Sequence, residues 1–250
     1  MLFEQNIGPA LSIDETAFSS GELYTIVTNK LAKGRKGSIV AMIKVTQSEF
    51  LKEILFKIRK RLRQRVQEVT IDMSGSLNSA VKACFTNAHR VIDRFHVQHL
   101  AFDAVQQIRI KHRWEALEQE NQEYEQAKRT AIKYEPFRLP NGDTAKQLLA
   151  GSRYLLFKHP RLWTRMQQQR AELLFSHYPL IHKSYQLSLR LGEVYRQCKC
   201  KEEAFKKLAL WYNDVEESRD RTHYIILLFT ACANASAILP TSNRSNIFRR

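Results

Sequence analysis

Two aspartates end short apolar runs in this 250-residue chain: Asp14 in "SIDE" and Asp72 in "TIDMS". A carboxylate at a strand exit is a hard oxygen donor. Two of them on neighbouring strands can share a divalent cation of the Mg²⁺ type. Two such ions about 4 Å apart can activate a water or 3′-hydroxyl and stabilise the leaving oxygen of a phosphodiester. A third polar group, "HRVIDRFHVQH" over residues 89–99, sets Asp93 three residues before His96. There an imidazole oriented by a carboxylate could organise a site or touch DNA. Each of these residues also has a plainer reading. An Asp after an apolar strand is often a turn residue or a helix N-cap, and Asp93 with His96 fits a strand-end hydrogen bond equally well.

The flanking segments decide whether the acids can meet. "ALSIDETA", "ELYTIVTNK" and "SIVAMIKVT" read as three closely spaced strands, an antiparallel meander with "KGRKG" as a turn. Apolar residues at 51, 54, 55, 58 and 62 follow helical spacing, and Thr46 with Glu49 suits a capping box. The opposite face of that helix is cationic. "VQEVTIDMSGS" is a fourth strand with Val69 and Ile71 inward, "LNSAVKACFTNA" a short helix, and "HRVIDRF" a fifth strand. The order is β-β-β-α-β-α-β, the ribonuclease H-like arrangement, in which acids of the first and fourth strands lie side by side. Glu15 would then point to the opposite sheet face in a structural or supporting role. Arg94 faces away from Asp93, and His89 and His99 read as surface residues.

From about residue 97 the pattern is helical. A long polar helix runs to about residue 135, "PFRLPNGD" breaks it, and four further helical stretches follow with Pro160 and Pro179 between them. Trp114, Trp163 and Trp211 sit among Leu and Phe and are expected in the core. The expected division is a mixed α/β core over residues 1–99, an all-helical segment over 100–221, and a poorly ordered tail over 222–250.

Composition narrows the partner. Forty basic against twenty-five acidic residues leave a net charge of +15, which points to a polyanion, most simply nucleic acid. A solubilising surface or a ribosome-associated protein would carry similar charge. No apolar run is long enough to span a membrane, and no signal peptide is evident. The basic amphipathic stretch 48–65 could suit a membrane surface, but flanking strands favour its packing on a sheet. Cys84, Cys198, Cys200 and Cys232 lack paired zinc-knuckle spacing, so reduced thiols in a cytosolic protein are expected.

Four segments carry a resemblance: "SIDETAFSSGELYTIVTNK", "VTIDMSGSLNSAVKACFTNAHRVIDRFHVQHLAFDAVQQIR", "LLAGSRYLLFKHP" and "LALWYNDVEES". Together, over about residues 10–218, they resemble the DDE transposases of bacterial insertion sequences, of the ISL-three family. The resemblance implies Asp14 as the first catalytic acid and Asp72 as the second, both metal ligands. Asp93 and His96 match the family's Asp-x-x-His signature. It implies Mg²⁺ or Mn²⁺, two ions in an intact member, and metal-dependent cleavage and strand transfer at transposon ends. It further implies a helical domain inserted after the fifth strand, double-stranded DNA as partner, self-association as an option, no membrane, and a bacterial cytoplasmic, nucleoid-associated location.

Two departures from the family pattern set further expectations. The region with a cysteine zinc motif and helix-turn-helix is expected to be missing ahead of the catalytic strand. The third acid is expected shortly after a segment like "CANASA" at 232–237, yet Ile238, Leu239 and Pro240 follow and "ILPTSNRSNIFRR" holds no acid, as a change of reading frame would produce. Glu216 and Glu217 precede the family's catalytic helix and are taken as bystanders. A truncated, impaired transposase is therefore expected. The alternative is a DNA-binding or dimerising fragment that inhibits a complete transposase.

Overall fold

The computed structural model describes residues 1–18, 21–44, 47–198 and 200–217. Five strands, β1 (Ala10–Ala17), β2 (Leu23–Asn29), β3 (Ile39–Ile43), β4 (Glu68–Ile71) and β5 (His89–Ile92), form one mixed sheet in the order β3-β2-β1-β4-β5. The first three strands pair antiparallel as a meander. β1 pairs parallel with β4, and β4 with β5. The "KGRKG" turn holds Gly34 and Gly37 at φ of +74° and +85°, a region where side-chain-bearing residues are strained.

Alternation along the strands gives the sheet one apolar face. Leu11, Ile13, Val27, Val69 and Ile71 are buried there, against Leu51, Leu55 and Ile58 and against Leu77, Val81 and Phe85. These come from α1 (Ser48–Phe56) with the turn after it, and from α3 (Gly75–Cys84) with the residue after it. Full burial of one such side chain contributes about 1.5–3 kcal/mol. A one-residue register slip would forfeit several of these at once and would turn Asp14 inward. The core thus fixes which way the acids point.

The helix expected across residues 48–65 is two helices, α1 and α2 (Lys60–Arg63). The break sits at Arg59, which is extended at φ −52° and ψ 132°. Glu4, far away in sequence, compensates for the interruption. Its Oε2 accepts the Arg59 backbone N–H at 3.3 Å, and its Oε1 meets Arg59 Nε at 3.0 Å. The expected capping residue Thr46 lies outside the described residues, and Gln47 occupies the N-cap of α1. On the far side of the sheet, residues 1–3 run along β3. Met42 N–H donates to Met1 O at 3.0 Å, Phe3 N–H donates to Val40 O at 2.7 Å, and Leu2 bridges Ala41.

Among the described residues, Met1–His96 form one compact unit, and Val97–Cys198 with 203–217 form another. Residues 97–217, where described, are helical with no strand: most of α4 (Arg94–Arg129), then α5 (Ala145–Gly151), α6 (Arg165–His177), α7 (Pro179–Gln197) and α8 (Lys201–Glu216). Pro179 opens α7, where its missing N–H matters least. Thr164 and Gln167 exchange capping bonds of 3.2 and 3.3 Å at the start of α6. α4 stops about six residues earlier than expected. Ala131 N–H donates to Lys128 O and Ile132 N–H to Ala127 O, with Ala131 at φ +54°. This is a Schellman stop built on alanine instead of the usual glycine.

The three tryptophans divide. Trp211 is buried and donates its indole N–H to Leu187 O at 2.8 Å. Trp163 is half-buried, stacked on Tyr185 with ring centres 5.6 Å apart. Trp114 is 65% exposed, against the expectation of a core residue. It lies where α4 becomes polar all round, so no apolar stripe calls for a packing partner.

Candidate active site on three neighbouring parallel strands

The dipeptide Ile-Asp occurs in "SID", "TID" and "VID", and the sheet brings the three copies together. Ile13 pairs in register with Ile71, and Ile71 with Ile92. Asp14, Asp72 and Asp93 each stand one residue beyond this aligned row: Asp72 and Asp93 directly follow β4 and β5, while Asp14 lies within β1, which runs on past β4 to Ala17. Adjacent strands lie about 4.8 Å apart. Asp72 therefore has an aspartate on each side of it along the sheet edge.

Each acid reaches this place by a local rule. On β1, Leu11 and Ile13 are buried, so Ser12 and Asp14 take the other face. Asp14 is exposed, and its Oδ1 accepts the Glu15 N–H at 2.9 Å. Asp72 leaves β4 directly into a turn. Its Oδ1 accepts the Ser74 N–H at 2.8 Å, while Ser74 itself is the N-cap of α3. The turn role anticipated for Asp72 is thus present, and it engages one carboxylate oxygen. Among the described residues the other oxygen has no hydrogen bond that would compete with a ligand.

Asp93 is the residue ahead of α4. Its Oδ1 accepts the Phe95 N–H at 2.9 Å and its carbonyl accepts the His96 N–H at 3.2 Å. This is N-cap geometry, so the fifth strand ends at Ile92 and the helix starts at Arg94, earlier than the sequence suggested. The Asp-x-x-His spacing acquires a physical meaning from this: the first residue caps the helix and the fourth lies in its first turn. Helical side chains lean toward the helix N-terminus, which carries His96 back to the sheet edge. His96 Nε2 lies 3.7 Å from Asp14 Oδ1. That is too long for a hydrogen bond. Arg94 is exposed, as are His89 and His99. His99 Nδ1 lies 2.8 Å from Asp103 Oδ2.

Glu15 is more involved than its position in the sequence suggested. It is half-buried, and its carboxyl is pushed above the ordinary range, first by burial, then by the negative charges of Asp72 and Asp14. The edge is therefore a concentrated negative site, and Glu15 feels both neighbours. The repeated Ile-Asp dipeptide was the available signal for the row of acids. The Glu15 coupling had none, because it depends on how close Glu15, on β1, comes to the Asp72 turn after β4.

Among the described residues, no three or more His, Cys, Asp or Glu side chains are gathered so as to hold a metal ion. The sheet register instead offers the Asp14–Asp72 pair on adjacent strands. Glu216 ends α8 and Glu217 follows it. The segment from "CANASA" onward, where the third acid was sought, lies outside the described residues. No described helix is long and apolar enough to cross a membrane.

A family model described as a transposase, the DDE type of the ISL-three group, matches residues 11–235. No curated protein and no solved structure matches the chain.

Proposed function

The chain belongs to the ISL-three family of DDE transposases, and on that premise we propose that its mixed sheet is a ribonuclease H-like core acting on phosphodiester bonds of transposon-end DNA. The observation that carries this is the aligned row of Ile-Asp pairs, which puts Asp14 on β1 and Asp72 just past the end of β4, one residue beyond the paired Ile13 and Ile71 of adjacent parallel strands. In this reading the helical residues from about 100 onward are an insertion that helps to grip DNA or a second copy of the chain. The net charge of +15 supports DNA as the partner.

The donor set fits Mg²⁺. That ion keeps several waters and is held by one or two carboxylates together with substrate phosphates, and Asp14 and Asp72 are such a pair. When bound there, the cation would polarise a phosphodiester oxygen and ease deprotonation of the attacking hydroxyl. The chain's own residues orient the pair. Ser74 N–H fixes one oxygen of Asp72. Asp93 caps the turn that holds His96 beside Asp14. Glu15 adds negative charge behind both acids.

Residues 221–250 contain no Asp or Glu, so nothing after Ala237 within these residues can serve as a third carboxylate. Loss of one element of such electrostatic stabilisation raises the barrier by about 3–4 kcal/mol, two to three decades in rate. This favours a second reading, in which the 250-residue chain binds DNA, or pairs with a complete transposase, without turnover. The test incubates it with duplex DNA and Mg²⁺ or Mn²⁺. A second chain, with Glu-Ser and a helix in place of the residues from Ile238, runs beside it. Salt-sensitive DNA binding with at most trace nicking by the first chain is expected. Comparable cleavage by both, abolished by Glu217→Gln, would identify Glu217 as the third acid and overturn this assignment.

A further inference from the structure

Arg109 is the most deeply buried cation among the described residues, with 5% of its surface exposed. Its Nε donates to Gln106 Oε1 at 2.7 Å and its Nη1 to Leu149 O at 2.9 Å. Both acceptors are neutral. A buried guanidinium is ordinarily balanced by a carboxylate, yet the charged groups that act on this one are Arg113 and Arg153. Burial and then those two charges hold the Arg109 proton less tightly than usual.

The local geometry explains why the three cations gather. Arg113 lies one turn beyond Arg109 on α4, on the same face. Arg153 is tied in through Gln106, which accepts from Arg109 and donates its Nε2 to Arg153 O at 3.0 Å. Arg113 and Arg153 are exposed, and among the described residues neither has an ion-pair partner. Arg153 sits with its guanidinium carbon 5.5 Å from the Tyr154 ring centre. The guanidinium fork of Arg109 is thus held by two neutral acceptors, with N–H donors to spare, beside two solvent-facing cations. Like charges gathered this way repel one another, and an oxyanion bound among them would relieve the repulsion while accepting several hydrogen bonds.

We propose that Arg109, Arg113 and Arg153 form a phosphate-binding site in the helical unit that seats on a backbone phosphate of duplex DNA. The inference rests on the reading that this chain binds DNA, and it assigns part of that binding to three residues remote in sequence from the Asp14 and Asp72 acids.

The test measures binding of the full chain to a fluorescently labelled duplex of about 20 base pairs across a sodium chloride series. Arg109 is left intact because it bridges α4 to α5. The variant is Arg113→Gln with Arg153→Gln, and the control is Lys128→Gln with Arg129→Gln. The control pair removes two exposed charges from the far end of α4, about 24 Å from Arg113 along the helix. Circular dichroism checks that each variant is folded. Two lost phosphate contacts should flatten the slope of log K against log salt by about 1.8 in the site variant, with a clearly smaller change in the control. Equal losses from the two pairs would mean diffuse charge and would overturn the site while leaving DNA binding intact. A wild-type chain that fails to bind duplex would overturn the DNA reading and this assignment with it. That holds even if inorganic phosphate, at matched ionic strength, raised the melting temperature of the wild type alone, which would give the site to a free anion.

Discussion

Replacing Asp72 by Asn should produce two effects of opposite sign. The amide keeps an oxygen at the Oδ1 position, so the 2.8 Å bond from Ser74 N–H survives, and Asn caps turns about as well as Asp. Only the charge is lost. The register puts Asp14 and Asp72 one residue past paired Ile13 and Ile71, with strands about 4.8 Å apart. Asp14 keeps 57% of its side-chain surface exposed, so a water-like dielectric applies. At that spacing two carboxylates repel by about 0.9 kcal/mol. A divalent cation about 3 Å from one carboxylate charge gains about 2.8 kcal/mol from it under the same dielectric. Removing the Asp72 charge forfeits that attraction, about 2.8 kcal/mol or roughly a hundredfold in cation affinity, while the carboxylate repulsion, present with and without the cation, bears only on stability. In chelator, Asp72→Asn should be as stable as the wild type or slightly more so. Urea melts in EDTA and Mn²⁺ titration followed by electron paramagnetic resonance measure the two effects on the same samples. Equal Mn²⁺ affinity in both proteins, or a marked destabilisation in EDTA, would refute the reasoning. It would leave Asp72 as a turn residue only.

Two further outcomes follow from neighbouring features. Glu15 binds its proton more tightly in the folded chain than the ordinary value of 4.5 implies. The stability this contributes is present below about pH 4.5 and is lost as pH rises through the folded value. Glu15→Gln should therefore be more stable than the wild type at pH 7, with the difference vanishing near pH 4, as denaturant melts at the two pH values would reveal. Trp211 is buried and bonded to Leu187 O, so Trp211→Ala should lose about 3–5 kcal/mol, seen as a lower urea midpoint.

How much could be read from the sequence varied with how local the causes were. The meander, the inward Val69 and Ile71, and the acids on neighbouring strands all follow from alternation and strand order, which short stretches display openly. The break at Arg59 did not, because its compensating acid is Glu4, some fifty residues away along the chain. The early stop of α4 was hidden because Ala131 takes a conformation normally signalled by glycine. Asp93 was read as the end of a strand although it caps a helix; a cap and a strand end look alike when one directly follows the other. Trp114 was misplaced because a large aromatic among Leu and Phe suggests a core even where the helix has no apolar face. The Arg109 cluster could not be read at all, since it depends on Arg153 arriving through Gln106.

Residues 1–3 have a consequence for how copies of this protein behave together. An outer strand such as β3 offers unpaired N–H and carbonyl groups on which another chain can build a sheet. Here the Met1 carbonyl, the Phe3 N–H and the Leu2–Ala41 bridge occupy much of that row. These residues act as a guard against edge-to-edge polymerisation. Lifting them away, by a bulky fusion placed ahead of Met1 or by proline at Phe3, would reopen a ready template for intermolecular pairing. Purification handles are therefore better placed elsewhere, since an aggregate caused by a freed β3 could be mistaken for assembly on DNA.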